Sequence, residues 1–136
     1  MKNLILAILM GLMAFTAKAQ TTAEAEAIQG VVTSQIEAMK ADDWETAFSY
    51  ASPTIQRVFR DQYIFSDMVM KGYNMVARPH SYETGGLYQR PAGPSQIMFF
   101  NDMSGRRYIA EYKMQLVDGK WRINGVEVRL MPDQAA

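Results

Sequence analysis

No cysteine occurs among the 136 residues, and the only histidine is His80. The first absence removes disulfides, thiol nucleophiles, thiolate zinc sites and iron–sulfur clusters, so the fold must hold by burial and hydrogen bonding alone. The second removes a typical multi-histidine zinc centre. His80 follows Arg78-Pro79 without ligands at matched spacing; a carboxylate such as Glu83 could assist it, but it reads as a structural or solvated residue. An excess of charge of one sign is also lacking, with 14 basic against 14 acidic residues and no basic stripe interleaved with aromatics, which excludes nucleic acid as a partner. Long apolar runs are confined to residues Leu4 to Phe15, fewer than the roughly 20 that a membrane span needs.

That run follows Lys2 and precedes Ala17-Lys18-Ala19, the pattern of a secretory signal peptide over residues 1–19 with cleavage after Ala19. No cysteine follows it for lipid attachment, so no membrane association is expected after cleavage. Removal of Lys2 and Lys18 leaves 12 basic and 14 acidic residues, a net charge of −2. Residues 20–136 suit a single domain, large enough to bury roughly two-thirds of its unfolded surface. The expected location is periplasmic or secreted, and the lack of cysteine in an exported chain favours a periplasm.

Helical periodicity dominates the first half. Ile28, Val31, Val32, Ile36 and Met39 recur at spacings of three and four, which predicts an amphipathic helix ending near Ala41. Asp42, with Glu45 three residues on, is the expected cap of a second helix striped by Trp44, Ala47, Phe48 and Ala51. Ser52-Pro53 supplies a cap and a first-turn proline for a third, with Ile55, Val58 and Phe59 inward. Asp61 caps a fourth, in which Tyr63, Ile64, Phe65, Met68, Val69, Gly72 and Tyr73 or Met75 are core or pocket positions, and Arg78-Pro79 ends it.

From His80 the texture turns to aromatic and β-branched runs broken by glycine and proline, which predicts four strands. Ser81 to Gln89 is the first, interrupted at Gly85-Gly86; a loop at Arg90 to Pro94 leads to the second, Gln96 to Phe100. Tyr108 to Leu130 then forms a hairpin about Asp118-Gly119, a dipeptide suited to a two-residue type I′ turn. That turn pairs Val117 with Lys120, Leu116 with Trp121 and Met114 with Ile123. Beyond Ile123 the apolar positions change from odd to even numbers, and one β-bulge restores the phase: Asn124 and Gly125 oppose Lys113, so Val126 meets Tyr112, Val128 meets Ala110 and Leu130 meets Tyr108. The expected class is α+β, with N-terminal helices packed on one face of a curved four-stranded antiparallel sheet.

Helices first, a tryptophan after the acidic turn, and the closing Asp118-Gly119-Lys120-Trp121-Arg122-Ile123-Asn124-Gly125-Val126 stretch resemble the nuclear transport factor 2-like superfamily, a cone-shaped α+β fold. More narrowly, Met68 to Arg78, Tyr82-Glu83 and Trp121 to Val126 resemble an uncharacterised family of small exported bacterial domains within it. The superfamily holds isomerases, dehydratases, carriers and scaffolds, so the resemblance implies no single activity. In its enzymes, the resemblance implies, a carboxylate or His–Asp pair projects into the cone. Asp61, Asp67, Asp102 and His80 are the residues of that type here, and none matches those catalytic patterns position by position. Asp61, Asp102 and His80 fall at caps or turns, where a polar residue is expected without further cause.

A binding role is the favoured reading. Trp44, Tyr63, Tyr73, Tyr112 and Met114 are the candidates to line a pocket between helices and sheet, since tyrosines combine apolar surface with a hydroxyl handle. No cofactor is expected: Met68, Met70 and Met75 suggest Cu(I), but Met68 and Met70 point to different sides of a helix, and methionine is a common core filler. On the sheet's outer face, Ile97 and Phe99 are apolar and Glu111 opposes Glu127, a pair needing compensation from Lys113, Arg129 or another strand. These four residues are the candidates for contact with a second copy or an envelope protein. The interior discriminates: an open cone with a buried carboxylate supports an isomerase or dehydratase, an open cone without one a carrier of a small apolar ligand, and a filled cone an assembly scaffold. Mass spectrometry of the exported protein should find Gln20 at its N-terminus, and an N-terminus at Met1 would overturn cleavage.

Overall fold

A computed structural model describes residues 20–132, so the proposed signal peptide lies outside the described residues. Helix α1 spans Thr22–Lys40, α2 Trp44–Ser49, α3 Pro53–Phe59, α4 Gln62–Gly72 and α5 Asn74–Ala77. Strands β1 (Ser81–Arg90), β2 (Gly93–Asn101), β3 (Arg107–Val117) and β4 (Lys120–Leu130) form one antiparallel sheet in sequential order. The α+β class holds, with helices layered on one sheet face. Among the described residues no helix is long and apolar enough to cross a membrane.

Local chemistry accounts for each helix start. Thr21 and Glu24 form a reciprocal capping box at α1, Ser52 caps α3 with Pro53 in the first turn, and Asp61 accepts from Tyr63 and Ile64 N–H at α4, both at 2.9 Å. The cap of α2 is Asp43, which accepts from Thr46 N–H, and not Asp42. Asp42 has φ 57, the left-handed conformation that reverses the chain after α1, and its carboxylate pairs with Arg78 instead. Arg78 also donates to Met39 O at 2.8 Å, fastening the end of α1 to α5.

The hairpin register is the one the sequence predicts, from Val117 opposite Lys120 to Leu130 opposite Tyr108, with the shift between Lys113 and Met114 where Gly125 meets Lys113. A second irregularity lies between Thr84 and Leu87 in β1. A Cβ on Gly85 would come within 2.9 Å of the Phe99 ring, so only glycine lets β1 approach β2 this closely. The carbonyls of Gly85 and Gly86 are taken up by the amide of the buried Gln96, at 3.0 and 3.3 Å. The expected loop at Arg90 to Pro94 is shorter: Gly93 and Pro94 already belong to β2, and Pro94 pairs with Gln89 at the start of the strand, before pairing with β3 begins at Ser95.

The core lies between α1 and the sheet's inner face. Ile28, Val32 and Ile36 of α1 pack with Met98, Phe100, Ala110 and Tyr112, all with no exposed surface. Val58 departs from its inward expectation and is 64 % exposed, because seven-residue α3 turns only its Ile55–Phe59 edge inward.

A clasp joins the helices to β4. Ser52 N–H donates to Ile123 O at 2.8 Å and Ile123 N–H to Tyr50 O at 2.9 Å, a parallel bridge, while Ser52 Oγ donates to Asn124 Oδ1 at 2.7 Å. Ser52→Ala removes that bond and the α3 cap together and should lower unfolding free energy by about 2 kcal/mol in urea titration.

Candidate functional site

The sheet curves away from α3 and α4 and leaves a cavity of about 260 Å³. Its buried wall comprises Gln35 and Met39 of α1, Phe65 and Val69 of α4, Val76 of α5, and Tyr112 and Ile123 of the sheet. The half-buried members are Ile55, Phe59, Met68, Tyr73, Gly125 and Val126, so the mouth opens between α3, α4 and the bulged part of β4. The bulge shapes this wall. By letting Asn124 reach Ser52, it brings both Gly125 and Val126 to the cavity.

Among the described residues the lining holds no aspartate, glutamate, histidine, lysine or arginine. Its polar groups are Gln35, Tyr73 and Tyr112. Gln35 commits its amide N–H to Ala47 O at 3.1 Å. Tyr112 has no exposed surface, and its hydroxyl has no hydrogen-bond partner among the described residues. Burial first, and then the nearby Tyr82 phenol, push the Tyr112 phenol far above the usual range, so it stays protonated and remains a donor. Tyr82 instead satisfies its hydroxyl on Glu37 Oε1 at 2.6 Å; burial and that bond raise its pKa to about 12.

Of the five pocket candidates, the structure brings Tyr73 and Tyr112 to the cavity and sets the other three apart from it. Trp44 stands one layer behind, its ring edge-on to Phe65 at 6.1 Å, and so supports the wall. Tyr63 is 74 % exposed. It lies two residues before Phe65, about 200° around the helix, when the inward stripe is Phe65, Met68, Val69 and Tyr73. Met114 is buried on the inner face but sits beyond the register shift, toward the hairpin tip, where it joins the core. Sequence reasoning did not assign Gln35, Met39, Val76, Gly125 and Val126 to the cavity. Gln35, a polar residue between the apolar Val32, Ile36 and Met39, is the one with a readable signal.

The acid–base candidates lie elsewhere. Asp61 is the α4 cap, and Asp67 pairs with Lys71 at 2.9 Å on the exposed side of the helix. Asp102 organises the β2–β3 turn, where the Ser104 hydroxyl first, then the backbone N–H groups of Arg106 and Ser104 and the Arg106 guanidinium, lower its pKa to about 2 despite partial desolvation. His80 is exposed, its backbone N–H bonded to Asn101 O.

On the outer face, Glu111 does oppose Glu127, and each finds its own cation: Arg90 at 2.8 Å and Lys113 at 2.9 Å. Lys113 holds Glu127 below the usual carboxylate range, and Glu127 raises Lys113 in turn. Ile97 is buried, and the Arg107 guanidinium lies 4.9 Å over the half-buried Phe99 ring. Long cationic side chains of this chain thus supply part of the cover that the apolar outer face requires.

Removing the unpartnered hydroxyl by Tyr112→Phe should raise the stability of the ligand-free protein by about 1 kcal/mol, read as a higher urea midpoint at unchanged slope.

The search among curated proteins finds no match. Among solved structures, the chain is similar to the crystal structure of an NTF2-like protein of unknown function from Shewanella baltica OS155, with a TM-score of 0.58 and 17 % identity over 85 % of this chain and 100 % of that one. At that identity the likeness speaks to fold, and it agrees with the helices-on-sheet cone. The family described as "Domain of unknown function (DUF4864)" matches residues 21–136, and this chain belongs to it.

Proposed function

We propose that this domain is an exported, non-enzymatic binding protein that takes up a small apolar molecule in the cavity between its helices and sheet. The observation that carries the reading is a cavity of about 260 Å³ lined by aliphatic, aromatic and thioether side chains without one ionisable group other than tyrosine. A cavity of about 150 Å³ is enough for benzene, so this one has room for a fused bicyclic molecule or a chain of similar bulk. Such a lining favours neutral molecules, because a charge brought there would lose hydration with nothing to offset it.

Acid–base catalysis needs a titratable group within reach of a substrate proton. Asp61, Asp67 and Asp102 are engaged at a cap, a surface ion pair and a turn, which weighs against the isomerase or dehydratase reading. The open interior weighs against a pure scaffold. The partial cover of Ile97 and Phe99 by the chain's own arginines favours the cavity over the outer face as the binding surface. Export is part of the same reading and rests on the residue 1–19 pattern.

Titration of residues 20–136 with the neutral bicyclic fluorophore 1-aminonaphthalene should give a saturable rise in short-wavelength emission. Val126→Phe, which fills the mouth, should weaken that binding at least tenfold. No saturable rise, or equal binding by the filled variant, would overturn the proposal.

A further inference from the structure

We propose that the corner between α3 and α4 docks on an anionic phospholipid membrane, the source from which an apolar molecule enters the cavity. The delivery rests on the cavity reading above, whereas the docking stands on observations of its own. Three of the seven large apolar side chains exposed among the described residues, Val58, Tyr63 and Ile64, fall within one short stretch and are 64, 74 and 47 % exposed. The other four are spread over β1, the β2–β3 turn and the two ends of the β3–β4 hairpin. Single apolar residues on a surface need no explanation, but a cluster marks a contact surface. Two of the three border the cavity mouth. Val58 follows the lining residue Ile55 by three positions and Ile64 precedes the lining residue Met68 by four, so each stands beside a lining residue on its own helix. Gln56, on the opposite flank of α3, donates to Phe48 O and Ala51 O, which turns Val58 away from α2.

The charge at this corner names the occupant. Arg57 and Arg60 are exposed, and Arg57 meets only the Thr54 hydroxyl, at 3.4 Å. Among the described residues no carboxylate pairs with either, while Arg78, Arg90, Arg106 and Arg107 each have one. Asp61, the nearest carboxylate in sequence, turns Oδ1 to the N–H groups of Tyr63 and Ile64, both at 2.9 Å. Apolar side chains with free cations between them suit the headgroup region of a bilayer: Val58, Tyr63 and Ile64 enter the acyl boundary, and the arginines meet lipid phosphates. An acidic protein would match the charge, but it would bring no store of small apolar molecules to the mouth. The expectation of no membrane association after cleavage rests on the lack of a span or a lipidated cysteine, and peripheral docking needs neither.

The test is flotation of residues 20–136 with vesicles of phosphatidylcholine alone and of phosphatidylcholine mixed with phosphatidylglycerol. The protein should float with the mixed vesicles, stay behind with phosphatidylcholine alone, and be released by added salt. Arg57→Glu with Arg60→Glu should weaken that binding about tenfold or more, and Val58→Asp with Ile64→Asp should do the same. Arg57→Lys with Arg60→Lys keeps the charge and should bind as the wild type does. Urea midpoints of all three pairs tell a folding defect from a docking defect. No flotation with the mixed vesicles, or flotation that the glutamate or aspartate pair leaves unchanged, would overturn the docking surface, while a saturable 1-aminonaphthalene signal without vesicles keeps the cavity reading standing. Flotation without that signal would overturn the cavity reading and the delivery, and would support the docking.

Discussion

The attachment of the Tyr50–Ser52 segment to β4 is the constraint on which the rest of the molecule depends. Two backbone hydrogen bonds to Ile123 and the Ser52–Asn124 bond hold the α2–α3 junction against the sheet where β4 is bulged. The bulge makes this possible by giving β4 one residue more than its partner, so that Asn124 can turn to Ser52 while Ile123 and Val126 stay on the inner face. With the junction fixed there, α3 and α4 pass over the sheet rather than onto it. The space they enclose is the cavity.

The two sheet faces solve burial differently. Inside, α1 supplies Ile28, Val32 and Ile36 to a dry core, and close packing ends where the cavity begins at Gln35 and Met39. Outside, none of the described helices covers the sheet; the Arg107 guanidinium lies over Phe99 and that of Arg90 over Tyr88, while Arg90, Arg107 and Lys113 pair with Glu111, Glu83 and Glu127. Exposed pairs of this kind contribute little to stability singly. Their use here is to let a four-stranded sheet keep Ile97 and Phe99 without an apolar outer surface.

Tyr112 carries a cost in stability. A donor without an acceptor in the centre of a wall is tolerated only because the remaining core holds it. Tyr82 shows the ordinary outcome: its phenol is half-buried, and Glu37 accepts from its hydroxyl.

The hairpin was legible in full because each of its features is local: a type I′ dipeptide sets the register, and a change of parity in the apolar positions marks the bulge. Helix starts at Pro53 and Gln62 were legible for the same reason, through capping by Ser52 and Asp61, whereas the Thr21–Glu24 capping box of α1 was not read. At the second helix the sequence reading set the cap one residue early, at Asp42: the chain needs a left-handed residue there to reverse after α1, and Asp43 takes the cap. Val58 and Tyr63 read as inward by apolar character alone, yet the sides that α3 and α4 present depend on how the clasp aims them. So the sequence by itself determined the four strands, the first three helices and the bent inner wall carrying Tyr112, while it ran α4 and α5 into one helix. Only the tertiary structure decided that the wall faces a cavity, that Tyr73 and Tyr112 share it while Trp44, Tyr63 and Met114 do not, and that Tyr112 lacks a partner. The physical reason is that periodicity reports which side of an element is apolar, whereas empty space and an unmet hydrogen bond are properties of several elements meeting at once.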